Sequence, residues 1–267
     1  MRVWAVSNQK GGVGKTTTVV TLGGILASRG YRTLLIDLDP HGSLTSYFRM
    51  NPDQIDFSVY NLFQDVLAKK KLLPSPYIVS TEFEGLSVLP AATAIATVER
   101  QGGAGGMGLV VANGLSAVRK QYDFVLIDSP PMLGVLMVNA LAACEHLFVP
   151  VLSEFLALKG LERMLNTLEM IGRSRKTKLN YTIVPTLFDR RTRASIQTLR
   201  VMRERYGDQV WGSVVPVDTQ VREASDAGIP LSHYMPKSKA VMAYTELLEH
   251  MFSQDQSRRI EPALATA

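Results

Sequence analysis

The sequence has a single cysteine, Cys144. One thiol cannot close an internal disulfide, and it cannot supply the several thiolates that a zinc site or an iron–sulfur cluster takes from a chain. Electron transfer through a cysteine-held cluster is argued against, and Cys144 reads as a small buried apolar residue. No apolar run approaches the ~18 residues needed to span a bilayer. A secretory leader is not expected either, because Met1-Arg2 is followed by only four apolar residues, Val3 to Val6. A cytoplasmic location is the expectation. There are no internal repeats and no clear second domain. Residues 1–252 are expected to form one domain, with 253–267 a flexible tail that is polar and lacks an apolar stripe.

What is present is ordinary for a folded protein: 46% of residues are hydrophobic and 20% are charged. The formal charge of +5 is unevenly spread, with twelve Lys/Arg against four Asp/Glu between Lys159 and Arg205. Such an excess suits an acidic partner, nucleic acid or anionic lipid, and it equally suits a solvated helix face.

Strand-like and helix-like patterns alternate along the chain. Arg2–Ser7, Thr33–Asp37, Phe124–Asp128, His146–Leu152, Tyr181–Leu187 and Val210–Val217 are short apolar runs rich in β-branched residues. Between them lie helical patterns at Thr16–Arg29, Ala112–Gln121, Leu136–Ala143, Leu158–Gly172, Arg193–Tyr206 and Lys239–Phe252. Met50–Ser80 reads as small helices in a surface excursion, and Gly102–Gly108 as a flexible loop. Continuous apolar strands separated by amphipathic helices imply an α/β fold, a mostly parallel twisted sheet with helices on both faces. Right-handed crossovers bring the C-terminal end of every parallel strand to one edge, where a ligand belongs.

The glycine loop Lys10-Gly11-Gly12-Val13-Gly14-Lys15-Thr16-Thr17 lies between the first strand and the first helix. Gly11, Gly12 and Gly14 let the backbone wrap closely, so that successive N–H groups, that of Val13 included, form an anion cradle backed by a helix N-terminus. Lys15 is placed to reach the β- and γ-phosphates of ATP, Thr16 to coordinate Mg²⁺, and Thr17 to meet the α-phosphate. Two strands end in aspartate, at Asp37 and Asp128, with Asp39 two residues beyond the first. Asp37 and Asp39 flank Leu38 at the strand end and are not expected to serve identical roles.

The strict P-loop pattern has glycine six residues before its lysine, where this chain has Gln9, and the loop carries the additional Lys10. This xKGGxGK[ST] variant resembles the ParA/Soj branch of the ParA/MinD family of deviant Walker A P-loop ATPases. The resemblance covers nearly the whole chain: NQKGGVGKTTT, LLIDLDPHGS, YDFVLIDSPP, VLSEFLALKGLERM, LFDRRTR and EASDAGIPLSHYMPKSKAVMAY follow in family order. It implies that Lys10 reaches the nucleotide of the partner subunit in an ATP-dependent homodimer. Asp39 would orient the attacking water, Asp37 would support the magnesium shell or the loop, and Asp128 would be the Walker B aspartate. Family members place Pro-Arg-Asn at the adenine, whereas this chain reads Pro216-Val217-Asp218. Asp218 can accept from the adenine amino group but cannot donate to a ring nitrogen. The family's two DNA-binding arginine positions hold Val217 and Gln220. Arg222 lies close by, and Arg190, Arg191 and Arg193 are further candidates, as are Arg173, Arg175, Lys176 and Lys178.

The function so implied is a spatial-positioning ATPase with weak basal turnover. It would hold the nucleoid through non-specific DNA contacts, respond to an activating adapter protein, and place a chromosome, a plasmid or a protein assembly such as a chemotaxis array. The chain begins at the first strand, so an operator-binding helix-turn-helix extension is not expected. The alternative is membrane cycling of the MinD type. That would need an amphipathic C-terminal helix, and SQDQSRRIEPALATA offers only Ile260 and Leu264 as bulky apolar residues.

Overall fold

The structure is a computed structural model that describes residues 1–101, 104–172 and 179–264; of these, the side chains of 101, 104, 105 and 255–264 are not described. The strands are β1 (Arg2–Val6), β2 (Thr33–Asp37), β3 (Val79–Ser80), β4 (Leu86–Leu89), β5 (Phe124–Asp128), β6 (His146–Leu152) and β7 (Asn180–Thr186). The helices are α1 (Lys15–Ser28), α2 (Ser43–Tyr47), α3 (Val59–Leu67), α4 (Ala96–Gln101), α5 (Val110–Ala117) and α6 (Val135–Ala143), followed by α7 (Phe155–Gly172), α8 (Arg193–Tyr206), α9 (Gln220–Ala227), α10 (Leu231–Tyr234) and α11 (Lys239–Leu264).

The strands form one sheet in the order β3-β4-β2-β5-β1-β6-β7, parallel throughout except for β3 against β4. The α/β architecture implied by the alternating pattern is the one observed. Successive side chains of a strand point to opposite faces, and each face has its own core. Val3, Ala5, Leu34, Ile36, Val125 and Ile127 pack beneath α3, α5, α6, α7 and α8. Trp4, Val6, Leu35, Leu126 and Phe148 pack beneath α1, α10 and α11. Burial on both faces is why these strands read as unbroken apolar runs.

Two features fix the site. Register sets Asp128 of β5 beside Val6 of β1 and Asp37 of β2, so two carboxylates and the start of the glycine loop meet at one edge. Helix α1 then lies unusually close to its neighbours. A Cβ at Gly23 would come within 2.5 Å of Leu35 Cδ2, and one at Gly24 within 2.4 Å of Ser232 Oγ. Those two glycines let α1 press against β2 and α10, which sets the position of its N-terminus.

The structure departs from the sequence reading in several places. Val210–Val217 is not a strand: it makes only isolated bridges, Ile183 to Val210 and Phe188 to Pro216. Gly212 favours no extended conformation and Pro216 has no N–H to donate, so the ladder is interrupted. Leu86–Leu89 is a strand that the reading passed over, and four residues are too few to show a period. The backbone of α11 stays helical to Leu264 instead of stopping at 252, in line with the good helix formers Gln254, Gln256, Arg258 and Arg259. Gly102 and Gly103, like Arg173, Arg175, Lys176 and Lys178, lie outside the described residues, whereas 104–109 form a short 3₁₀ segment. Cys144 is buried, 2% exposed.

Candidate functional site

The chain leaves β1 at Val6 and enters α1 at Lys15, and the residues between form the glycine loop. Gly12 and Gly14 have φ of 71° and 89°, the left-handed region in which a side chain is strained. An added Cβ at Gly11, as at Gly12 and Gly14, would meet nothing within 4 Å, so the space above the loop is open. The loop is anchored from below. Val13 is fully buried and its carbonyl accepts from Thr186 Oγ1 at 2.9 Å. Asn8 Nδ2 donates to Pro150 O at 2.7 Å, and Asn8 Oδ1 accepts from the Lys10 amide at 3.1 Å. No side chain caps the start of α1. Its first amides are therefore available to an anion, and the helix dipole favours one there.

The three aspartates separate into distinct environments. Asp37 is fully buried and turned toward the loop after β2. Its Oδ1 accepts from the Asp39 amide at 3.1 Å, and its Oδ2 from the Thr45 amide and hydroxyl at 2.9 and 2.7 Å. Burial pushes the Asp37 carboxyl up to about 6, against the opposing pull of those donors. Asp128 is also buried. Its Oδ2 accepts from Thr16 Oγ1 at 2.5 Å, while its Oδ1 has no hydrogen-bond partner among the described residues. Burial first, and then the charge of Asp37, raise the Asp128 carboxyl well above the usual range, and Thr16 and Lys15 only partly offset this. Asp39 faces the cleft. Its Oδ1 accepts from the His41 amide at 3.0 Å and lies 2.8 Å from His41 Nδ1.

A buried carboxylate oxygen with no donor, beside a threonine hydroxyl at a helix N-terminus, is a donor set that a hard cation could take up. Magnesium suits this donor set, because it takes one or two protein oxygens and fills the rest of its shell with phosphate and water. Among the described residues no three His, Cys, Asp or Glu side chains converge as a metal cage. Thr16 and Asp128 meet at this point, whereas the oxygens of Asp37 are engaged by the loop.

A cavity of about 600 Å³ opens over the loop. Gly11, Gly12, Gly14, Lys15, Thr16 and Thr17 line it on one side, with Asp39 and His41 close by. Leu187, Val215, Pro216 and Val221 supply an apolar wall. Pro216 thus lies where the sequence places it. Asp218 is not among the lining residues: its oxygens accept from the amides of Gln220 at 3.1 Å and Ala240 at 3.0 Å, joining the starts of α9 and α11. Its electrostatic reason is plain, since two helix N-termini attract one carboxylate. Arg222 lines the cavity from α9. Sequence reasoning missed His41, and its signal was the D-x-H spacing in a tight turn, where a histidine can fold back on an aspartate.

Lys10 points elsewhere. It lines a separate depression with Pro131, Met132, Leu133, Leu156, Lys159 and Arg163, and its Nζ lies 3.6 Å from Glu154 Oε2. Arg190, Arg191 and Arg193 are exposed together at the entry to α8. Arg191 is bound to Asp189 through two bonds of 2.9 and 2.8 Å, which hold the Asp189 carboxyl down at about 2. Arg190 and Arg193 have no ion pair among the described residues.

A family model described as an AAA domain matches residues 1–181. The chain is 36% identical to the chromosome partitioning protein ParA of Caulobacter vibrioides, over 98% of each chain. It is 34% identical to the sporulation initiation inhibitor protein Soj of Bacillus subtilis, covering 94% of this chain and 98% of that one. Among solved structures it resembles cobyrinic acid a,c-diamide synthase from Mycobacterium smegmatis with bound ATP analog and magnesium. That likeness has a TM-score of 0.79 and 35% identity, over 95% of this chain and 97% of the other.

Proposed function

The chain belongs to the ParA/Soj branch of the ParA/MinD family of deviant Walker A P-loop ATPases, and on that premise we propose that it binds MgATP, dimerises on it and positions or segregates cargo in the cell. The cargo would be chromosomal or plasmid DNA or a protein assembly, and a partner protein would trigger hydrolysis and release. The observation that carries this reading is the unpartnered Asp128 Oδ1 beside Thr16, under a cavity floored by the glycine loop. Magnesium, when bound, neutralises phosphate charge and draws the triphosphate into register. The amides of residues 11–15 hold the phosphates, Lys15 adds a partly desolvated positive charge, and Asp39 holds the attacking water from the open side of the cavity. Leu187, Val215, Pro216 and Val221 are the apolar surface for the base.

The dimer reading rests on Lys10. It is directed out of its own cavity and toward a surface that carries exposed apolar side chains, Met132 at 75% and Leu156 at 71%. Apolar surface of this kind around a charged residue is what an interface buries. With a slowly hydrolysed ATP analogue and magnesium, the wild-type chain is expected to sediment as a dimer. Lys10→Ala is expected to bind the analogue within about threefold of wild type, remain monomeric, and lose at least about tenfold in turnover. A Lys10→Ala protein that dimerises normally overturns the assignment.

DNA binding would fall to Arg190 and Arg193, because Arg191 is neutralised by Asp189 and Arg222 faces the nucleotide cavity. Each phosphate contact contributes roughly 0.9 to the slope of log affinity against log salt. Replacing both arginines with alanine is expected to flatten that slope by about two per protomer in a salt titration with ATP present. An unchanged slope places the DNA surface elsewhere.

A further inference from the structure

The loop Asp39–Gly42 brings two donors of one residue onto a single oxygen. Asp39 Oδ1 accepts from the His41 backbone amide at 3.0 Å and lies 2.8 Å from His41 Nδ1. A carboxylate can only accept, so Nδ1 carries the proton in this contact. The imidazole is otherwise open to the cavity, with its side chain 81% exposed. Nothing in the fold requires it: it fills no core and bridges no second element. Among the described residues no donor engages Asp39 Oδ2.

We infer that His41 is a positioning residue for hydrolysis, clamping Asp39 so that Oδ2 rather than Oδ1 is presented to the water that attacks the terminal phosphate. Rotation about the soft χ2 torsion of an aspartate sweeps both oxygens through the cleft unless something fixes the carboxylate plane. Two donors on Oδ1 fix it, and the backbone amide alone leaves the plane free to swing. Orientation of this kind acts on the rate of the chemical step and leaves ground-state nucleotide affinity alone. The inference rests on the ATPase reading above.

The test is a kcat-against-affinity comparison in the full-length chain. Turnover is followed as release of labelled phosphate from [γ-³²P]ATP with magnesium, and affinity by a fluorescent ATP analogue. His41→Ala is expected to lose about tenfold in kcat with nucleotide affinity within twofold of wild type. His41→Asn is expected to recover turnover to within about threefold, because its Nδ2 reaches the place of the imidazole Nδ1 and donates there. Unchanged turnover in His41→Ala overturns the inference, as does a parallel loss of affinity and kcat that His41→Asn fails to rescue. A wild-type chain that binds no nucleotide and releases no phosphate overturns the underlying ATPase reading instead.

Discussion

Lys15→Ala is expected to lower MgATP affinity by at least about 100-fold while leaving the far-ultraviolet circular dichroism unchanged. The ammonium is held at the first position of α1 and its residue is only 9% exposed, so its attraction to phosphate is little screened by water. Removing one partner of a desolvated charge pair forfeits about 2–5 kcal/mol, and 100-fold corresponds to about 2.7 kcal/mol. A second effect works in the same direction. Lys15 lowers the Asp128 carboxyl toward its ionised form, and without it Asp128 holds its proton more firmly and offers less charge to a cation. Calorimetric titration of the variant with MgATP is the measurement, and affinity within about threefold of wild type would remove Lys15 from the phosphate site. Lys15→Gln keeps much of the aliphatic stem and should fail equally, which separates lost charge from lost packing.

Asp128→Asn is expected to make the nucleotide-free protein more stable and to abolish its response to magnesium. The buried carboxylates of Asp128 and Asp37 both have raised folded-state values, Asp37 at about 6. Each group is protonated more readily in the folded protein than in the unfolded chain. The folded state is therefore unpenalised below the ordinary carboxylate value and loses stability as pH rises through the window from about 4 to about 6 for Asp37. The loss is complete above that window, and for Asp37 it amounts to about 3 kcal/mol. A neutral isostere at 128 removes one of the two repelling charges. Relief of that kind raises the melting midpoint, and each kcal/mol raises it by roughly 2–4 °C in a chain this size. Thermal melts at pH 7.5 and pH 5, with and without MgADP, test both halves. Wild type should gain more from MgADP at pH 7.5 than at pH 5, and Asp128→Asn should melt higher alone and gain little from it. A variant that melts below wild type, or that gains as much from MgADP, contradicts the assignment of the unpartnered oxygen to a cation.

Legibility in the sequence followed the range of the interactions concerned. The central strands were readable because burial on both faces leaves no polar position in VWAV or FVLI, and the glycine loop because left-handed backbone at Gly12 and Gly14 demands its residue type. What escaped depends on the destination of a side chain rather than on its identity. Asp218 stands where the family pattern puts a base contact, yet the N-terminus of α9 two residues on and that of α11, from outside any local window, converge on it. Arg222 was a candidate DNA contact close to Val217 and Gln220, and only the packing of α9 shows that it lines the cavity. Val210–Val217 has the composition of a strand, and what it lacks is an unbroken row of donors opposite Ile183 and Phe188.

The contact between Lys10 and Glu154 bears on how quickly two subunits could join. Glu154 is 65% exposed, and the 3.6 Å separation is a loose one. Exposed pairs of this sort contribute under about 1 kcal/mol, so thermal motion breaks the contact readily. The lysine is kept out of its own cradle by a tether too weak to delay its departure. If association follows the proposed route, its rate should scale with how often charged-nucleotide faces collide, with no slow internal step to flatten the dependence on protein concentration.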